Sequence, residues 1–509
     1  MILLNRELTL KNIEDLLFGE ETISLDKEAL ERIVRSYEFL KEFSKEKVIY
    51  GINTGFGPMS QFRVDDRNLK QLQLNLIRSH AAGTGEILTD LQVKAAMIAR
   101  LVTFVQGCSG VHYSLPLLLA ECINREILPV IPQHGSVGAS GDLVQLAHMA
   151  LAMIGEGNVH YRGQTRNAGE VLKENGLEPL QIYIREGLAI TNGTSVMTGV
   201  GLLNLIRAKR LMQWAMAASA LVNEIAGSYD DFLSPVLNRK KRHSGQLFIA
   251  RQLSSMLSES HCLKRRQSYL YNKEVNGDKV FRDKVQPFYS LRCVPQILGP
   301  VADTLKFAQR VLLEELNSSC DNPVVDPETE NVYHGGNFHG DYVSLEMDKM
   351  KTVVTKMTIL MERQLNYICH DKVNQILPPF VNLGVPGLNY GMQAAQFTAT
   401  STTAECQTLS MPNYIHSIPN NNDNQDVVSM GTNSAIITAR VIENAFQVTS
   451  IHLMALAQAV SCLDIKEKLS PSTLSVYNKI REGFPAVIED VALYPYIAKT
   501  IEYITHNKP

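Results

Sequence analysis

The sequence has no C-x-x-C pair; its eight cysteines stand singly at 108, 122, 262, 293, 320, 369, 406 and 462. That spacing argues against a zinc ribbon and against a disulfide framework, and it suits reduced thiols in the cytoplasm. No G-x-x-x-x-G-K-[ST] loop occurs, so the Gly-rich segments GINTGFG at 51 to 57 and GSVGASGD at 135 to 142 do not read as phosphate cradles. Charge of either sign is not in excess: 49 Lys and Arg stand against 52 Asp and Glu, which gives no reason to expect a nucleic-acid partner. No repeat of 20 to 50 residues and no Pro-, Gly- or Ser-rich linker is found. The N-terminal stretch carries acidic residues throughout, with no small-residue cleavage site after an apolar run, so no signal peptide is expected. His334 and His339 flank GGNF without an evident third ligand, and no metal is expected.

What is present is apolar surface at helical spacing. The chain has 509 residues, of which 45% are hydrophobic and 20% charged, enough to bury a large core. Residues 434 to 463 run nearly thirty positions without Pro or Gly, with polar side chains at Arg440, Glu443, Gln447 and His452. The length would span a bilayer, but those polar positions predict a helix buried in a soluble assembly instead of a membrane span. Residues 345 to 372, also without Gly or Pro, and 197 to 227, which hold the only tryptophan, Trp214, are two further long stretches with an apolar face. Three such stretches predict a long-helix bundle with apolar faces left for subunit contacts.

Within GSVGASGD, the tripeptide Ala139, Ser140, Gly141 carries unusual chemistry. If the Gly141 nitrogen attacks the Ala139 carbonyl and water is lost, a five-membered ring closes. Loss of the Ser140 hydroxyl then leaves an exocyclic methylene, giving a 4-methylidene-imidazol-5-one (MIO). Side chains supply nucleophiles, acids and bases but almost no electrophiles, so a self-made Michael acceptor points to amine elimination. Gly141 has no Cβ to hinder the approach. Asp142 directly behind it, with Gly155 and Gly157 further on, predicts a helix starting at the tripeptide, its positive end at the ring.

Eight segments in order resemble the aromatic amino acid ammonia-lyases, that is, the histidine, phenylalanine and tyrosine ammonia-lyases and their aminomutase relatives. They are YGINTGFG at 50 to 57, SHAAG at 79 to 83, GSVGASGDLVQLAHMA at 135 to 150, NGTSVMTG at 192 to 199, YSLRCVPQ at 289 to 296, DNPVVD at 321 to 326, GGNFHGD at 335 to 341 and NQDVVSMG at 424 to 431. The resemblance implies an all-α long-helix bundle of the fumarase/aspartase-like ammonia-lyase type. It implies a homotetramer with active sites built from more than one subunit, and an MIO formed autocatalytically with no external cofactor. An N-terminal region over 1–195 would carry the ring, and the central bundle and C-terminal helices would occupy 196–509, in one continuous unit. Tyr50 would be the base that takes the β-proton, which an ordinary phenol does weakly at neutral pH unless positive potential favours its anion. Arg292 would clamp the carboxylate through its planar fork. Tyr289, three residues earlier, would share its helical face near the reacting centre. Asn192 would support the electrophile, and Gln286 and Phe338 would line the pocket.

Two positions bear on the substrate and conflict. Ser79 and His80 form the pair typical of histidine ammonia-lyases, whereas Gln425 stands where those enzymes carry a glutamate, in a context that resembles bacterial tyrosine ammonia-lyases. A carboxylate pairs with imidazole, while a neutral amide suits a protonated phenol, to which His80 would hydrogen-bond. The reading favours a small aromatic amino acid, L-tyrosine converted to trans-4-coumarate, with histidine to urocanate as the alternative, followed by phenylalanine or an aminomutase.

Overall fold

A computed structural model describes residues 1–272, 280–281 and 284–509. Helix accounts for 59% of the residues and strand for 8%, which settles the class as mainly α. The three long helices expected from spacing are present as Ser195–Ile225, Asp341–Cys369 and Gly431–Leu463. A fourth, Val294–Leu316, carries Pro300 inside it, and with Gly299 alongside it the sequence there reads as an interruption. Glycines at 299 and 245 are both needed for a close crossing: a Cβ on Gly299 would lie 2.7 Å from the Gln246 nitrogen, and one on Gly245, at the start of Ser244–Met256, 2.1 Å from the Gly299 carbonyl oxygen. Gly431–Leu463 is long and apolar enough to cross a membrane by composition, yet 78% of its most apolar window is buried inside the fold. His452 within it is fully buried, and burial pushes its imidazole down to about 3, so it packs as a neutral ring.

The chain divides into two compact units that are interleaved along the sequence. One comprises Met1–Ile206, Ala308–Asp348 and Pro412–Ala439; the other comprises Arg207–Phe307, Lys349–Met411 and Arg440–Pro509. Among the described residues, the first holds all the short strands. Ile2–Leu4 pairs in parallel with Ile23–Leu25, Thr84–Ile87 pairs with Pro132–His134, and Val324–Asp326 pairs with Asn331–Tyr333. Asn158–Tyr161 and Gln164–Asn167 form a hairpin because Arg162 and Gly163 both take the positive φ that a tight two-residue turn demands. The second unit is helical, and its Trp214 is wholly buried, with the indole N–H donating to the Asn507 carbonyl at 2.8 Å.

Glu186, at the start of helix Glu186–Thr191, is fully buried and accepts N–H groups from Tyr183 at 2.7 Å and His112 at 3.0 Å. Burial outweighs both donors and pushes its carboxyl up to about 8. The folded chain therefore keeps a proton that the unfolded chain loses from about pH 4.5 upward. This contribution to stability is complete at low pH and fades as pH rises toward 8, by about 1.4 kcal/mol per pH unit. Melting temperatures from pH 5 to 9 are expected to fall more steeply for the native chain than for Glu186→Gln. Parallel curves would show that Glu186 carries no such proton.

Candidate active site

The backbone around Ser140 is held by glycines for steric reasons. Gly141 has φ +67°, and a Cβ there would lie 2.0 Å from the Gly193 carbonyl oxygen, the same oxygen that accepts the Asp142 N–H at 2.7 Å. Gly138 has φ +75°, and its Cβ would meet Ser429 Oγ at 2.1 Å. The Gly141 carbonyl accepts from Ser136 Oγ at 2.9 Å, the Ser140 carbonyl from Asn192 Nδ2 at 3.2 Å, and Ser140 Oγ from Gln425 Nε2 at 2.9 Å. Asn322 N–H donates to Asn192 Oδ1 at 2.7 Å, which fixes the direction of that amide. The tripeptide thus has a glycine that carries no Cβ at its third position and donors on the Ser140 hydroxyl and on the Ser140 and Gly141 carbonyls, and this arrangement fits an MIO.

Asp142 ties the loop to the helices behind it. Its fully buried carboxylate accepts Val196 N–H at 2.8 Å, Met197 N–H at 2.9 Å and Ser136 Oγ at 3.1 Å, and also accepts from Thr432 Oγ1. Burial pushes it up to about 6 even so. Helix Leu143–Met153 begins two residues after Gly141, as the sequence predicts. Gly340 and Gly431, at the starts of Asp341–Cys369 and Gly431–Leu463, both pack on Met197, near the start of Ser195–Ile225. Helix N-termini therefore cluster behind Ser140 and supply positive potential there.

Ser140, Asn192 and Gln425 line a cavity of about 660 Å³ together with Tyr50, Phe338 and the pair Ser79 and His80. The Tyr50 hydroxyl oxygen accepts the Gly57 N–H at 3.1 Å, and its ring stands edge-on to Phe56. Gly51, at φ +72°, leaves room for Leu188: a Cβ there would lie 2.3 Å from the Leu188 methyl. His80 Nδ1 lies 3.0 Å from the Leu76 carbonyl oxygen and 3.0 Å from Ser79 Oγ, so that nitrogen is engaged by its own helix.

The cavity also includes Asn421, Asn422 and Asn424, which the sequence reading passed over. Asn421, Asn422 and Asp423 all take positive φ, and the run NNNDN was the available signal, since Asn and Asp tolerate that conformation best. Asn421 closes on Gly57, whose Cβ would meet its amide nitrogen at 2.8 Å.

Gln286, Tyr289 and Arg292 do not line this cavity; they belong to the second unit. Tyr289–Arg292 is a helical turn with the guanidinium stacked 4.8 Å from the Tyr289 ring, the shared face the spacing predicts. Tyr289 is 70% exposed and Gln286 is exposed, while Arg292 is half-buried and donates to the Pro287 carbonyl at 3.0 Å. His339 is committed to the Val427 carbonyl at 3.0 Å and to the Asp341 carboxylate at 3.4 Å.

Residues 8–482 match the family described as aromatic amino acid lyase. The chain belongs to that family. Among other lyase-family proteins, it is 41% identical over 495 residues to a tyrosine 2,3-aminomutase of Chondromyces crocatus, covering 96% of this chain and 93% of the relative. A protein of Streptomyces globisporus named MIO-dependent tyrosine 2,3-aminomutase is 37% identical, over 98% of this chain and 92% of its own. The crystal structure of tyrosine aminomutase from that organism superposes with a TM-score of 0.94 at 34% identity, over 98% and 96% of the two chains. A histidine ammonia-lyase of Staphylococcus saprophyticus is 36% identical, over 98% of this chain and 97% of the relative.

Proposed function

We propose that this lyase eliminates ammonia from L-tyrosine without oxidation, releasing trans-4-coumarate. The observation that carries the substrate is that His80 and the neutral amide of Gln425 line one cavity, where imidazole and amide can each hydrogen-bond a phenolic hydroxyl. The names of the aminomutase relatives support tyrosine as well. Once condensed from Ala139, Ser140 and Gly141, the MIO supplies the electrophilic carbon that side chains lack. Tyr50 takes the β-proton, oriented by its hydrogen bond to Gly57. The clustered helix N-termini favour negative charge near Ser140. Arg292 and Tyr289, with Gln286 beside them, are exposed or half-buried on the second unit, and in our reading they enter the site of a neighbouring subunit of a homotetramer, where Arg292 holds the substrate carboxylate. Eight free thiols suit a cytoplasmic enzyme.

The relatives favour a second outcome, in which the amine returns to the β-carbon and β-tyrosine is released. Incubating the purified protein with tyrosine, histidine and phenylalanine separately, and identifying the products, decides among these. Coumarate from tyrosine is the expected result; accumulation of β-tyrosine would establish the second outcome, and urocanate formed faster than either would overturn the substrate assignment. Gln425→Glu replaces a neutral donor by a carboxylate and is expected to shift relative kcat/KM toward histidine by about tenfold. An unchanged ratio would remove Gln425 from substrate choice.

A further inference from the structure

The DNPVVD segment at 321 to 326 contributes a charge cluster that the proposed chemistry leaves unused. Arg100, Arg185 and Asp321 are each 0% exposed. Asp321 Oδ2 is shared by two guanidinium groups, with Arg185 Nη1 at 3.3 Å and Arg100 Nη2 at 3.7 Å, so two cations surround one anion. Arg185 also donates to the Pro323 carbonyl at 2.6 Å and to the Ser109 carbonyl. Arg100 Nε and Nη2 have no hydrogen-bond partner among the described residues. Burying charge in this way is costly and adds little to stability, so the cluster calls for another reason.

Its position supplies one. Arg100 Nη1 donates to the Asn192 carbonyl at 2.8 Å, and a Cβ on Gly193 would lie 2.3 Å from that nitrogen. On the other side of Asp321, the Asn322 N–H holds Asn192 Oδ1 at 2.7 Å. Both arms of the cluster therefore grip Asn192, backbone and side chain, and its Nδ2 has one direction left, toward the Ser140 carbonyl. We propose that Arg100, Asp321 and Arg185 are positioning residues that aim the Asn192 amide at Ser140 and place positive charge behind it, and that they act first on the condensation of the tripeptide.

The chemistry shows which step they assist, on the reading that the ring forms. In the first dehydration the Gly141 nitrogen bonds to the Ala139 carbon, and the Ala139 oxygen leaves as water with the amide protons of Gly141 and Ser140. In the second, the Ser140 α-proton and hydroxyl leave as water and the methylene double bond forms. A donor on the Ser140 carbonyl makes the adjacent α-proton easier to lose, so the cluster favours the second step.

The test is a double-mutant cycle of Arg100→Lys and Asn192→Ala, with Asp321→Asn as an independent probe of the same cluster. Intact mass is followed after synthesis, together with kcat and KM for tyrosine and the melting temperature. Arg100→Lys and Asp321→Asn are each expected to accumulate protein lighter by one water and to lower kcat about tenfold with KM unchanged. In the Asn192→Ala background, Arg100→Lys is expected to add nothing further. Wild-type masses and kcat in both cluster variants, with only the melting temperature lowered, would overturn the proposal, as would effects of Arg100→Lys and Asn192→Ala that simply add. Native protein that lacks the double water loss would instead overturn the reading of the ring itself.

Discussion

Replacing Ser140 by alanine is expected to lower turnover of tyrosine by at least about a thousandfold while leaving the fold intact. The magnitude follows from what is removed. With alanine at 140 no hydroxyl can leave and no methylene forms, so the amino group remains a poor leaving group whatever else surrounds it. Clustered helix ends and Tyr50 stay in place, and those alone give only a small residue of catalysis. The fold survives because the Ser140 side chain contributes a hydrogen bond of 2.9 Å from Gln425 at the cavity wall, whereas the loop is held by Gly141, Asp142 and Ser136 through their own contacts. Far-UV circular dichroism and the melting temperature check the second half of the statement, and product formation from tyrosine checks the first. A variant retaining more than about a tenth of native turnover would show that elimination proceeds without the ring.

Tyr50→Phe is the second large effect, and it separates the base from the electrophile. Losing a positioned general base costs about 10²- to 10⁴-fold in kcat. Phenylalanine keeps the edge-on packing with Phe56 and forfeits only the hydroxyl that accepts the Gly57 N–H. The variant is therefore expected to fold, to condense its tripeptide as the native chain does, and to bind tyrosine with little change in KM. A kcat within threefold of native would assign the β-proton to another group.

The long helices were legible because apolar residues recur along them at helical spacing, and 434 to 463, which also lacks Gly and Pro, emerged within three residues of its start at Gly431–Leu463. Val294–Leu316 was not, since its Gly299 and Pro300 serve a helix crossing that exists only in three dimensions. The site divides in the same way. Tyr50, Ser79, His80, Ser140, Asn192, Phe338 and Gln425 carry recognisable motifs, and they share one cavity. Tyr289 and Arg292 carry an equally recognisable motif, with Gln286 just before it, but fall in the other unit, because a motif does not report which residues share a cavity. Arg100 and Arg185 gave no signal: a buried charge reads in sequence as an ordinary surface residue. The interleaved units were hidden too, since long helices contribute to both and no composition change marks the passage.

The account rests on the backbone at Ala139, Ser140 and Gly141 having closed into an electrophile. Intact and peptide mass spectrometry of catalytically active protein addresses this directly. The expected result is a chain lighter by two waters than its translated sequence, with the loss confined to the peptide that contains residues 139–141. Active protein at the full translated mass, with that peptide linear, would contradict it.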